Sequence, residues 1–69
     1  MGQKILLYSD YCKYCDEARD VLRKDLISGN ILLINVDRNK DHRDIARMFG
    51  GVPTLIEEEH GEVYELKMF

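Results

Sequence analysis

Two short apolar runs, separated by a segment with helical periodicity, constrain the fold of this 69-residue chain most strongly. Residues 4–8 and 31–36 are almost continuously apolar, as is typical of strands buried on both faces of a sheet. Residues 13–26 between them predict an amphipathic helix that ends at Ser28-Gly29-Asn30. Its inward-facing positions are Cys15, Ala18, Val21, Leu22 and Leu26. A crossover of this kind joins parallel strands.

The second half of the chain predicts a helix and a β-hairpin. Asn39 can cap a short helix that runs to Phe49 and stops at Gly50-Gly51. Residues 52–56 predict a strand, His60-Gly61 a hairpin turn and residues 62–69 a last strand. The inward-facing positions of the helix are Ile45, Ala46, Met48 and Phe49, and the apolar positions of the last strand are Val63, Tyr64, Leu66 and Met68. The sequence therefore predicts one α/β domain over residues 1–69, ordered β-α-β-α-β-β, with a mixed four-stranded sheet and two helices.

Composition excludes several classes of function. Apolar residues make up 45% of the chain, which is enough for a core, and the net charge of −3 gives no reason to expect binding to nucleic acid or to an anionic membrane. Apolar runs are too short for a membrane span or a secretory signal. We therefore expect a cytoplasmic protein, a monomer or a weak dimer.

The two cysteines of the chain, Cys12 and Cys15, lie where the first strand gives way to the first helix. Thiols three positions apart can close a disulfide across one helical turn, and unpaired N–H groups of a first turn favour a thiolate. Ser9 or Asp10 can cap this helix. A structural zinc site needs four ligands, and of the other usual ligands only two histidines remain, both expected to be solvated: His42 and His60. The spacing favours a redox-active dithiol, with a soft-metal or cluster site shared between chains as the alternative.

Three stretches together are similar to known redox proteins. They are Tyr8-Ser9-Asp10-Tyr11-Cys12-Lys13-Tyr14-Cys15, Ile34-Asn35-Val36-Asp37, and Gly51-Val52-Pro53-Thr54-Leu55 with Gly61-Glu62-Val63 after it. They resemble the active-site approach, the central strand end and the cis-proline loop with its hairpin in the thioredoxin superfamily. The tyrosine before the second cysteine and the small size are closer to glutaredoxin. The chain therefore resembles a small thioredoxin- or glutaredoxin-like protein that lacks the N-terminal βα extension and the C-terminal helix of the superfamily.

The resemblance implies a thioredoxin-like fold and a thiol–disulfide oxidoreductase without a cofactor other than a Cys12–Cys15 disulfide. Cys12 would attack and Cys15 would resolve. The substrates would be protein or small-molecule disulfides, and electrons would come from a thioredoxin-reductase-like flavoprotein or a low-molecular-weight thiol. A cis Val52–Pro53 bond would place the Val52 backbone beside the sulfurs. The supporting residues would be Tyr11, Lys13, Tyr14, Val52, Pro53 and Thr54.

Some positions depart from the family pattern. Leu6 stands where thioredoxins have a buried acid, Leu33 where they have the accompanying lysine, and Lys13 where a proline is common. A proton relay through the acid and the lysine is therefore not expected.

Two other functions compete with the redox function. One is a copper or mercury carrier, whose β-α-β-β-α-β order differs from the one predicted here, and the other is a binding module without catalysis.

Overall fold

The computed structural model describes residues 2–66 and has a mixed four-stranded sheet with helices on both faces. Its elements are β1 (Gln3–Tyr8), α1 (Lys13–Val21), α2 (Arg23–Ser28), β2 (Ile31–Asn35), a 3-10 helix (Val36–Arg38), α3 (Lys40–Met48), β3 (Thr54–Glu59) and β4 (Glu62–Leu66). The strand order is β2-β1-β3-β4. β1 pairs with β2 in parallel, and the β1–β3 and β3–β4 pairs are antiparallel. The predicted fold class and sheet are confirmed.

β1 forms the centre of the molecule because it has a strand on each side and helices above and below. Ile5, Leu6 and Leu7 are fully or almost fully buried. Leu6 packs on the α1–α2 face with Ala18, Ile31 and Leu55. Its two neighbours point to the α3 face, where they pack with Val36, Ala46 and Ile56. The alternation of side chains along a strand divides this run between two cores.

The helix predicted over residues 13–26 is divided in two at Leu22. This residue has φ −96° and ψ 13°, between the end of α1 and the start of α2, although no proline or glycine stands there. α2 ends as predicted, at Gly29 with φ 84°. Val21 was expected to face inward and is exposed. It lies beside, not on, the stripe formed by Cys15, Ala18 and Leu22, so the prediction for Val21 is wrong.

β2 is an edge strand, so the prediction of a fully buried strand is wrong. Ile31 is buried, but Leu32 is 51% exposed and Leu33 is also partly open to solvent. The strand keeps its predicted parallel pairing, with Leu6 opposite Leu33. Apolar composition predicted a strand correctly, but β1 takes the central place in the sheet.

α3 begins as predicted, since the Asn39 side chain accepts a hydrogen bond from the His42 backbone N–H at 3.1 Å. Two predictions about its side chains are wrong. Met48 is exposed, whereas Phe49 packs against the core. His42 is not solvated, because its Nε2 lies 3.0 Å from Oε1 of Glu58 on β3, and its Nδ1 is buried without a hydrogen-bond partner among the described residues.

The predicted hairpin joins β3 to β4. His60 and Gly61 have φ values of 51° and 82°, which is the left-handed pair that a two-residue hairpin turn requires. The His60 side chain is exposed, as expected. The last predicted strand includes Met68, which lies outside the described residues. No helix within residues 2–66 is long and apolar enough to cross a membrane.

Candidate active site

The two thiols lie at the end of β1, where the chain turns into α1. Cys12 is the residue before the first turn of α1, with φ −111° and ψ 111°, and no side chain caps this helix. The prediction that Ser9 or Asp10 caps it is therefore wrong. The Cys15 N–H donates to the Cys12 carbonyl at 3.2 Å. Cys12 is partly exposed and Cys15 is 1% exposed, so one thiol can be reached from solvent and the other lies behind it.

The loop before β3 lies against Cys12. The Cys12 thiol donates to the carbonyl oxygen of Val52, with an Sγ–O distance of 3.7 Å. The Val52–Pro53 peptide bond is cis. The buried Thr54 hydroxyl donates to the Gly51 carbonyl, which fastens the loop to the first residue of β3. The structure thus brings Val52 and the first cysteine together from distant parts of the chain.

Burial and the neighbouring Cys12 make the Cys15 thiol a weaker acid than a free thiol. The pKa of the Cys15 thiol is raised from 9.0 to about 12, first by burial and second by a hydrogen bond with the Cys12 side chain. The Ser9 backbone N–H opposes them through a hydrogen bond that lowers this pKa. The charge of Asp16 raises it slightly. In this dithiol state Cys15 therefore keeps its proton at neutral pH.

Three of the predicted supporting residues, Tyr11, Lys13 and Tyr14, flank Cys12 in the sequence and are exposed. Tyr11 is 96% exposed and Tyr14 is largely exposed. The Nζ of Lys13 lies 5.8 Å from the centroid of the Tyr14 ring, a cation–π contact at the surface. Two aromatic side chains and one positive charge are therefore exposed in the segment that carries Cys12.

A hydrogen-bonded group that sequence reasoning missed holds the loop before Cys12. The group, here called the Asp37 cluster, comprises Ser9, Asp10, Asn35 and Asp37. The Asp37 carboxylate accepts from the Ser9 hydroxyl at 2.8 Å and from the Asp10 N–H at 3.0 Å. The Asn35 side chain donates to Asp10 Oδ1 at 3.0 Å and accepts from the Asp37 N–H at 2.8 Å. The only signal in the sequence was two polar segments that each follow one strand of a parallel pair.

These contacts also favour the ionised form of Asp37. The hydrogen bond from the Asp10 backbone N–H lowers the pKa of the Asp37 carboxyl, and the Ser9 hydroxyl lowers it further. Asp37 is therefore an anion at neutral pH, and a carboxylate makes stronger hydrogen bonds to donors than a neutral acceptor does.

The residues described here offer few ligands for a metal. Within residues 2–66 no group of three or more His, Cys, Asp or Glu side chains is placed to hold a metal ion. The cysteines themselves are free thiols. Among residues 2–66 the hairpin follows the helices and does not lie between them, so the element order also differs from that of copper and mercury carriers.

Comparison with known proteins shows the fold. No family model matches the sequence, and no curated protein matches it. A solved structure of a thioredoxin from Thermus thermophilus is similar, with a TM-score of 0.51 and 19% sequence identity. The similarity covers 93% of this chain and 57% of the thioredoxin chain. The chain thus has a thioredoxin-like fold and spans little more than half the length of that thioredoxin.

Proposed function

We propose that this chain is a thiol–disulfide oxidoreductase that reduces disulfides with Cys12 and Cys15. The observation that carries the proposal is the position of the two sulfurs. A partly exposed thiol precedes a helix, and a buried thiol lies within one turn behind it. The thioredoxin-like fold and the pair of cysteines are compatible with redox chemistry.

In the first step Cys12 attacks the substrate. After loss of its proton to solvent, the Cys12 thiolate attacks one sulfur of a disulfide and forms a mixed disulfide with it. The substrate S–S bond breaks, and the sulfur that leaves takes up a proton.

In the second step Cys15 releases the product. The Cys15 thiol loses its proton to solvent and its sulfur attacks Cys12. The bond from Cys12 to the substrate breaks, and the second substrate sulfur leaves and takes up a proton to become a thiol. Two electrons pass from the dithiol to the substrate, and a Cys12–Cys15 disulfide remains. In the mixed disulfide Cys12 has neither a thiol proton nor a charge, so two of the causes that raise the pKa of Cys15 are absent. Formation of the intermediate therefore activates the thiol that resolves it.

Protein disulfides are the proposed substrate class. Tyr11 and Tyr14 are exposed beside Cys12, where aromatic side chains can cover apolar parts of a polypeptide. The backbone of Val52 lies against Cys12 and can pair with an extended segment of a substrate. Lys13, Pro53 and Thr54 support this surface. A low-molecular-weight thiol or a flavoprotein reductase would return the two electrons.

A trapping experiment tests this function. The Cys15→Ser variant is mixed with a protein that contains an accessible disulfide, and products are separated without reductant and identified by mass spectrometry. We expect a mixed disulfide through Cys12 that persists, because the resolving thiol is missing. The matched Cys12→Ser variant should form none. Absence of the adduct in Cys15→Ser, with Cys12 inert to alkylation at neutral pH, would contradict the proposal.

A further inference from the structure

We propose that Asp37 is a positioning residue for the dithiol, and that it acts through Ser9 on the closure of the Cys12–Cys15 disulfide. This inference rests on the proposed function, because it assigns a role within the same site. Asp37 lies in the 3-10 helix after β2 and reaches the loop between β1 and α1 from the neighbouring strand.

Asp37 is itself held from two directions. The Asn35 side chain accepts a hydrogen bond from its N–H at 2.8 Å. Arg43 on α3 donates through one terminal nitrogen to the Asp37 carbonyl at 2.9 Å and through Nε to the Val36 carbonyl at 3.0 Å. The backbone of Asp37 is therefore attached to both the end of β2 and the side of α3, and its carboxylate provides a fixed point for the loop that it binds.

Ser9 and Asp10 connect this fixed point to the loop that carries Cys12. The Ser9 hydroxyl lies 2.8 and 3.0 Å from the two carboxylate oxygens of Asp37. The next residue, Asp10, donates its N–H to the same carboxylate at 3.0 Å. Two successive residues of the loop that leads to Cys12 are thus bound to Asp37, and the Ser9 backbone N–H also lowers the pKa of the Cys15 thiol.

These contacts should affect the equilibrium between the Cys12–Cys15 dithiol and its disulfide. Groups held in a fixed arrangement react at a higher effective concentration than groups on a mobile loop. Without the carboxylate, Ser9 and Asp10 lose their partner, and the loop that carries Cys12 gains freedom relative to Cys15. The disulfide should then be less stable relative to the dithiol. A decrease of roughly tenfold in the closure constant is expected, which corresponds to about 1.4 kcal/mol.

The test measures closure of the Cys12–Cys15 disulfide against glutathione. Reduced and oxidised protein are quantified by alkylation and mass spectrometry across a series of glutathione ratios at pH 7. The variants are Asp37→Ala, Asp37→Asn and Ser9→Ala. The matched control is Asp44→Ala, which removes the same charge from an exposed position of α3. Far-UV circular dichroism confirms that each variant is folded before it is compared.

We expect a closure constant roughly tenfold lower for Asp37→Ala and a smaller decrease for Asp37→Asn, which keeps one acceptor oxygen. Ser9→Ala should also lower the constant, and because it changes no charge it separates positioning from electrostatics. If Asp37→Ala does not fold, the closure constant of Ser9→Ala tests the proposal in its place. The proposed role of Asp37 would be overturned if the closure constants of the folded Asp37 variants and of Ser9→Ala lie within twofold of the constant of Asp44→Ala. Mixed-disulfide trapping by Cys15→Ser is independent of this result and decides the proposed function separately.

Discussion

The Sγ atom of Cys12 lies 3.7 Å from the carbonyl oxygen of Val52, although the two residues are forty positions apart. The antiparallel pairing of β1 with β3 produces this contact. Leu7, near the end of β1, is opposite Thr54 at the start of β3, so the loop before β3 meets the loop after β1. The Val52 carbonyl is therefore part of the immediate surroundings of the Cys12 thiol.

Replacement of Thr54 by valine should loosen this loop. The hydroxyl donates to the Gly51 carbonyl, and valine keeps the shape of the side chain but removes the donor. We expect Thr54→Val to lower the free energy of unfolding by about 1 kcal/mol, measured by urea denaturation, and to change the rate at which Cys12 is alkylated. Thr54→Ser keeps the donor and should leave the alkylation rate unchanged. Equal alkylation rates in all three proteins would show that the hydroxyl does not hold the loop.

Stability of the reduced protein should fall in alkaline solution because of Cys15. The fold raises the pKa of this thiol from 9.0 to about 12, so its contribution is complete below pH 9 and is lost as the pH rises toward 12. The expected loss is about 1.4 kcal/mol per pH unit within that window. Urea unfolding of the reduced protein between pH 8 and 10.5 measures it. Reduced Cys15→Ser corrects for tyrosine and lysine titration, and parallel curves for the two proteins would refute the assignment.

The acidity of Cys15 should depend on its partner thiol. The hydrogen bond with Cys12 and the charge of Cys12 both raise the pKa of Cys15. In Cys12→Ser we therefore expect Cys15 to titrate below about 12, as it would in the mixed disulfide. Thiolate absorbance near 240 nm during a pH titration, compared with the same titration of the Cys12→Ser/Cys15→Ser double variant to subtract the tyrosines, reports the change. A Cys15 pKa unchanged by the substitution would mean that burial alone sets it.

The central strand should be the most sensitive part of the core. Leu6 is 0% exposed and packs between the sheet and α1, so Leu6→Ala leaves a cavity and should cost about 2–5 kcal/mol. That is a large part of the stability of a small domain. Ile27→Ala is the matched control, because this side chain is 77% exposed and its loss should change the stability by less than about 0.5 kcal/mol. Thermal unfolding of both variants makes the comparison, and similar losses would contradict the assigned core.

The sequence was most informative where one residue type has one structural use. Gly29 and the His60-Gly61 pair marked a helix end and a hairpin turn because left-handed backbone is accessible to few residues. Asn39 marked the start of α3 because its side chain can bind a free N–H of the first turn. The alternation of strands and helices then led to the sheet, since crossover connections favour parallel pairing.

Other features depend on contacts between distant segments, and local patterns do not determine them. Residues 4–8 and 31–36 have the same apolar character, yet β1 is central and β2 is at the edge, because β3 pairs with β1. Asp37 has a polar sequence context typical of a loop, and only the fold shows that its carboxylate binds Ser9 and Asp10. Met48 fitted the helical period, but nothing in the described chain covers it.

The edge position of β2 has a consequence for handling the protein. Its outer side has no neighbouring strand within residues 2–66, and Ile31–Asn35 contains no charged residue or proline. Charged residues and prolines are the usual means by which sheet edges avoid growth by addition of further strands. Concentrated solutions should therefore show reversible association that increases with salt, and a lysine in place of Leu32 is the simplest way to keep samples monodisperse.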